Sequence, residues 1–222
     1  MLIRTVVAPL LGTNCHLVPD GDGCVVVDPG AGVVAPVRDL VSSTGLVPHA
    51  VLLTHGHLDH TWSAAELSDE WGVPVLVHED DAYRLADPIG SLGPLGTQLA
   101  AMTGLPDGPS MPTRVETFRA DREAPGIVVG RVRALHSPGH TQGSTVYLVG
   151  GPGVEGVALT GDVLFAGTIG RCDLPGGDDR AMAASLRTLA GLDRATRVLP
   201  GHGPATTIDD ELATNPHLRA PR

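Results

Sequence analysis

With 222 residues, 42% of them hydrophobic, the chain can bury a sizeable core and reads as one domain rather than two. A formal net charge of -10 and an aromatic content of only 3% argue against a broad nucleic-acid or anionic-membrane surface and against a base-stacking platform. Three cysteines (Cys15, Cys24, Cys172) without a Cys-x-x-Cys pair point away from a disulfide framework and toward a reducing, cytoplasmic setting, and no apolar run reaches the roughly 18 residues of a membrane span.

The stretch from Met1 to Leu17 carries Arg4, is interrupted by Pro9, Gly12 and Asn14, and has no small-residue cleavage site, so it reads as mature strand rather than signal peptide. Leu2 to Val7, Cys15 to Val18 and Cys24 to Val27 are expected strands, the last two joined by a tight Asp20-Gly21-Asp22-Gly23 turn. Asp28-Pro29-Gly30 ends the third. Val33, Val37, Leu40 and Val41 have helical spacing, and Gly45 closes that helix. Ala50 to Leu53 is a short buried strand, and a helix follows to about Trp71. Val75 to Val77 is another strand, and Glu79 to Ala86 a short helix. Asp87 to Pro112 is rich in Gly, Pro, Ser and Thr and reads as an irregular insertion near the site. Strands are expected again at Val115 to Phe118, Ile127 to Leu135, Ser144 to Val149 and Val157 to Leu159. A helix over Asp179 to Leu189 and a last strand over Thr196 to Leu199 complete the pattern, which suits two sheets with helices outside.

Between the strand ending at Leu53 and the next helix lies Thr54-His55-Gly56-His57-Leu58-Asp59-His60, with four ligand-type residues within six positions. The two-residue spacing of His55 and His57 sends both imidazoles to one side of an extended turn, and Asp59 falls where a helix N-terminus favours a carboxylate. Three further ligand types follow apolar strands and are flanked by glycine: His140 in Pro138-Gly139-His140, Asp162 in Gly161-Asp162 and His202 in Gly201-His202-Gly203. Alone, His140 or His202 would more often be a surface or hydrogen-bonded residue. The density at 55–60 has few structural explanations. Five histidines and two aspartates, with no cysteine, suit zinc, manganese or iron. Seven ligands exceed one tetrahedral ion and fit two divalent ions sharing a carboxylate. His16, His49, His78, His136 and His217 lack such context and read as structural or solvated.

These motifs, in this order and spacing, resemble the metallo-β-lactamase superfamily, and in particular the short, single-domain glyoxalase II-like (hydroxyacylglutathione hydrolase-like) proteins. The resemblance covers Asn14 to about Pro204. It implies an αββα sandwich of two mixed β-sheets flanked by helices, within an α/β class, over residues 1–222. It further implies one metal site of His55, His57 and His140 and a second of Asp59, His60 and His202, with Asp162 bridging. Asp28 matches a position supporting the first-site histidines from outside the ligand set. Two ions, zinc in the first instance, would then activate a bridging hydroxide toward an acyl carbonyl, with Asp59 as ligand and proton acceptor. A thiolate leaves readily, which favours a small-molecule thioester as substrate. A monomer or small homo-oligomer is expected, with no nucleic-acid or membrane partner.

Two departures bear on the substrate. Only Pro204 to Arg222 follow the Gly201-His202-Gly203 motif, so the helical domain that holds glutathione in glyoxalase II proper is not expected. Gly170-Arg171-Cys172-Asp173 has Arg171 and Asp173 where glutathione-specific members have Lys and Tyr. Arg171 can hold a substrate anion or pair with Asp173 and shape the loop. Arg-x-Asp here also resembles persulfide dioxygenases, in which His55, His140 and Asp162 would match a facial triad for one iron. A lactonase or other ester hydrolase is a further alternative.

Overall fold

The computed structural model describes residues 2–104, 108–150 and 156–218. The chain divides into two compact units, Met1–Phe118 and Arg119–Arg222, each built around its own mixed sheet.

In the first unit the elements run β1 (Arg4–Val7), β2 (Asn14–Asp20), β3 (Gly23–Val27), α1 (Val34–Thr44), β4 (Val47–Leu52), α2 (Leu58–Thr61), α3 (Ala64–Trp71), β5 (Val75–His78), α4 (Ala82–Ala86), α5 (Pro94–Thr103) and β6 (Val115–Phe118). The six strands lie in the order β1-β2-β3-β4-β5-β6. The β1/β2 and β2/β3 pairs are antiparallel, and the remaining three pairs are parallel. Strands β3 and β5 read as short apolar runs and are buried throughout, whereas β6, Val-Glu-Thr-Phe, is partly exposed. Cys24 and Val26 of β3 and Val51 of β4 pack with Val37 and Val41 of α1 and Ala64 and Leu67 of α3. Val25 and Val27 point the other way along the pleat and are equally buried. The valines and leucines of this core each contribute roughly 1.5–3 kcal/mol by leaving water.

The segment 87–112, expected to be irregular, contains regular structure over part of its length. It holds a 3-10 turn at Gly90–Leu92 and the ten-residue α5. Pro94 stands in the first turn of α5, where its missing N–H costs nothing, and the helix ends at Gly104 in the left-handed conformation. The Gly/Pro signs that suggest a loop are therefore the two ends of a helix. Residues 105–107 of this segment lie outside the described residues.

The second unit contains β7 (Gly126–Val129), β8 (Val132–His136), β9 (Thr145–Val149), β10 (Val157–Gly161), β11 (Leu164–Phe165), β12 (Thr168–Ile169), α6 (Asp179–Ala190), β13 (Arg197–Pro200), β14 (Thr206–Thr207) and α7 (Ile208–Thr214). Its main sheet has the order β14-β13-β10-β9-β8-β7, with β10 and β13 parallel and the other pairs antiparallel. The expected strand over Ile127 to Leu135 is two strands folded back at Gly130-Arg131. Helix α6 starts at Asp178, whose carboxylate accepts the Ala181 N–H at 2.8 Å, and carries Asp179 in its first turn and Arg187 in its last, both aligned with the helix dipole. Its buried Met182, Leu186 and Leu189 pack on Leu135, Val146, Leu148, Ala158 and Val198.

Candidate metal centre

In the first unit the ligand-type residues leave the sheet together. Strand β4 ends at Leu52, and Asp28, just past β3, takes over the ladder. The Asp28 N–H donates to the Leu52 carbonyl at 3.0 Å, and its carboxylate accepts the Thr54 N–H at 2.8 Å. Asp28 holds φ at 53°, a left-handed conformation an aspartate tolerates better than most side chains. His57 caps α2 in an extended conformation, which delivers Asp59 and His60 on its first turn. The rings of His55 and His57 meet edge-on with centroids 4.7 Å apart, and those of His55 and His60 lie at 4.2 Å. His55, His57 and His60 are buried, while Asp59 is partly exposed.

The hydrogen bonds fix which ring nitrogen each histidine offers. Thr54 Oγ1 donates its only hydrogen to Asp28 Oδ2 at 2.6 Å. It can therefore only accept from His55 Nδ1, 3.1 Å away. His60 Nδ1 donates to Asp28 Oδ2 at 2.9 Å. In the second unit His140 Nδ1 donates to the Arg171 carbonyl at 2.7 Å. In all three rings Nδ1 carries a proton, so that in the neutral imidazole Nε2 keeps the lone pair a metal requires. Asp28 thus supports His60 directly and His55 only through Thr54, so its stronger hold falls on a residue that the family pattern gives to the second site.

Two close carboxylate contacts follow. His60 Nε2 is 3.5 Å from Asp59 Oδ2 in the first unit. In the second, His140 Nε2 and His202 Nε2 approach the same oxygen, Asp162 Oδ2, at 3.6 and 3.7 Å. These separations exceed a hydrogen bond and are near the about 3.3 Å between donors that share one tetrahedral ion. Imidazole and carboxylate donors in the metal-ready tautomer fit a divalent ion. Asp59 Oδ2 also receives the Thr13 hydroxyl at 3.4 Å, and Phe165 stands edge-on to the His202 ring at 6.2 Å. Neither Thr13 nor Phe165 carries a motif that sequence reading could use.

Around these ligands the backbone comes close. A Cβ on Gly170 would lie 1.8 Å from the Asp162 carbonyl oxygen and 3.2 Å from His140 Nδ1, so only glycine allows this loop to pass behind both residues. Beyond it, Arg171 closes its fork on Asp173, with Nε and Nη2 each 2.7 Å from a carboxylate oxygen, and both side chains are exposed. Hydrogen bonding from Arg171 holds the Asp173 carboxyl down at about 2. Preceding this loop, β11 and β12 are fastened by α7: buried Glu211 accepts from the Gly167 N–H at 2.9 Å, the Thr206 hydroxyl at 2.8 Å and Asn215 Nδ2 at 2.7 Å. Asn215 Nδ2 also donates to the Thr168 carbonyl at 3.0 Å.

Sequence reading missed the groups behind His55 and His57. Asp81 and Arg84 are both fully buried, with Arg84 Nε donating to Asp81 Oδ1 at 3.2 Å and Nη1 to the Ser91 carbonyl at 3.2 Å. Asp81 Oδ2 accepts the Gly56 N–H at 2.9 Å. Three of the other histidines have hydrogen-bond partners within their own unit. His16 meets the Thr5 hydroxyl at 2.9 Å, His78 caps the Glu79–Asp81 turn, and His136 meets the Gln142 carbonyl at 2.8 Å. No helix among the described residues is long and apolar enough to cross a membrane.

Comparison with known proteins accords with this donor set. The family model of the metallo-beta-lactamase superfamily matches residues 8–202. A probable metallo-hydrolase of Bacillus subtilis, YqgX, is 34% identical over 221 residues, covering 97% of this chain and 96% of the relative. The hydroxyacylglutathione hydrolase GloC of Haemophilus influenzae is 33% identical over 210 residues, 93% of each. The solved structure of TTHA1623 in a di-iron-bound form superposes with a TM-score of 0.79 at 36% identity, covering 96% of this chain and 98% of that one. A match that begins before β2 and ends on His202 itself makes this chain a member of the metallo-β-lactamase superfamily of metal-dependent hydrolases.

Proposed function

We propose that the protein is a thioester hydrolase of the glyoxalase II type, acting as a single metallo-β-lactamase domain across residues 1–222. The observation that carries this reading is the 33% identity to a hydroxyacylglutathione hydrolase over 93% of both chains, supported by seven ligand-type residues in the order and spacing of the motifs. His55, His57 and His140 would hold one divalent ion, and Asp59, His60 and His202 the other, with Asp162 between them. When bound, such ions lower the pKa of water so that it attacks a carbonyl near neutral pH. The remaining work falls to the chain. The Nδ1 anchors of His55, His60 and His140 keep the rings in one tautomer and orientation. Asp59 Oδ2, steadied by Thr13, orients the attacking water and takes its proton. Arg171 and Asp173 border the leaving thiol as a closed pair and shape its loop. The leaving thiolate needs little protonation, which suits a site without a dedicated acid. A cytoplasmic setting agrees with three cysteines free of disulfides.

A second reading takes from the 36% identical relative only that its site accepts iron, two ions of it in that protein. With one iron on His55, His140 and Asp162, the same ligands would serve a persulfide dioxygenase. Lactone or other ester hydrolysis is a third. Metal analysis and two assays separate them. Two zinc-like ions, with thiol release from S-lactoylglutathione or another acyl thioester, are expected. A single iron, with O₂ consumed on glutathione persulfide and thioesters left intact, would overturn the hydrolase. Asp162→Ala should remove both ions and the activity, and retention of both would end the bridging role.

A further inference from the structure

The ligand turn His55-Gly56-His57 does not stand on β4 alone. Its middle residue is fixed from behind by α4. The Gly56 N–H donates to Asp81 Oδ2 at 2.9 Å, and a Cβ on Gly56 would lie 2.8 Å from Arg84 Cβ and 2.9 Å from the Asp81 carbonyl oxygen. The turn is thus pressed against the first turn of α4 with no space between. Asp81 and Arg84 are each fully buried, an unusual condition for charged residues. A buried ion pair is poor value as stabilisation, because desolvation offsets much of the attraction. What this pair does is directional. Arg84 Nε fixes one oxygen of Asp81, leaving the other aimed at Gly56, while Nη1 reaches forward to the Ser91 carbonyl at the start of the 90–103 region. A continuous set of hydrogen bonds therefore runs from Ser91 through Arg84 and Asp81 to the amide between the two histidines.

We propose that Asp81 and Arg84 are a positioning pair for the metal ligands: they set the His55-Gly56-His57 turn, and with it the convergence of the two imidazoles, rather than serving chiefly as a stability element of the first unit. The proposal rests on the reading that these histidines bind metal. Neither residue touches the ion. Both act through the Gly56 amide, and Arg84 ties that amide to the turn that opens the 90–103 helix region.

The test uses the full chain and zinc alone as the probe. Zinc affinity is measured by competition with a chromogenic chelator, and thermal unfolding is followed in the metal-free protein. In the double variant Asp81→Asn/Arg84→Met both charges leave together, so neither is stranded. Metal-free unfolding should stay within a few degrees of the wild type, while zinc affinity falls by about 10- to 100-fold, as on loss of other groups that orient ligands. Arg84→Lys keeps the charge but cannot reach both Asp81 and Ser91, and should weaken zinc by less than the double variant. Zinc affinity within twofold of wild type in either variant would overturn the pair's role. So would a double variant that loses its cooperative unfolding while Arg84→Lys binds zinc normally. If the wild-type chain itself takes up no zinc, the metal reading fails instead, and the two failures are distinct.

Discussion

Asp28 Oδ2 receives the His60 Nδ1–H at 2.9 Å, and the same oxygen receives the Thr54 hydroxyl that anchors His55. One carboxylate therefore sets the tautomer of two rings. Asp28→Asn keeps an acceptor and tolerates φ of 53°, but supplies no charge. It should weaken metal binding by about 10- to 100-fold with modest loss of metal-free stability. Asp28→Ala should lose both, adding about 1–2 kcal/mol of left-handed backbone strain. Chelator competition and metal-free melting of the two variants check this, and equal metal affinity in wild type and Asn variant would refute it.

Gly56→Ala should be among the most damaging single-methyl additions in the first unit. The new Cβ meets a backbone oxygen at 2.9 Å and Arg84 Cβ at 2.8 Å, neither of which can swing aside. Overpacking of this kind costs about 1–3 kcal/mol, or roughly 2–4 °C in melting temperature per kcal/mol for a chain of this size. An unchanged melting temperature would mean that the turn has slack this structure does not contain.

The Arg171–Asp173 pair gives a pH signature. Arg171 hydrogen bonding holds the Asp173 carboxyl at about 2, below the ordinary value of about 3.9. A depressed carboxyl favours the folded pair above its unfolded pKa and loses that advantage as pH falls through about 2. Both groups are exposed, so the contribution to stability is small. Between pH 5 and 9 the pair should not change charge, and any activity break in that range must arise elsewhere. Carboxyl-carbon NMR of Asp173 should titrate near 2, and a midpoint near 4 would show the fork open in solution.

The thiols should be slow. Burial pushes Cys24 and Cys172 up to about 11 and Cys15 higher still, so at pH 7.5 little thiolate is present. Native protein should react with Ellman's reagent far more slowly than denatured protein, which should yield three equivalents. A full equivalent reacting within seconds in the native state would contradict the buried setting of Cys15 and Cys24 and the partly buried setting of Cys172.

Much of the candidate site is legible in the sequence because strand ends and ligand-type residues coincide there. Apolar runs stop at Leu53 and Leu159, glycines flank His140 and His202, and the His55–His60 cluster has no common structural explanation. Asp81 and Arg84 show the opposite case. In Glu79-Asp80-Asp81 the charges look like a solvated run, and only tertiary burial, which local spacing does not encode, turns Asp81 inward. Their i, i+3 spacing on a short helix is the one available signal, and it is common on surfaces. Helix α5 was hidden by composition, since Pro94 and Gly104 mark helix ends as readily as loops. The β7–β8 turn at Gly130-Arg131 is a recognisable two-residue hairpin signal inside one apolar run.

Glu211 and Asn215 give the last helix a reach beyond its own length. They hold Gly167 and Thr168, the connection and second strand of the hairpin that leads into Gly170 and Arg171. Shortening the chain through α7 would remove more than a terminal ornament: the Gly167 amide and Thr168 carbonyl, both on exposed residues, would exchange these partners for water, and the hairpin would lose its tie to the helix. The loop against which His140 is oriented would be released with them. For a fusion or a trimmed variant, Glu211 and Asn215 are residues to keep, because they fasten the hairpin that leads into Gly170 and Arg171.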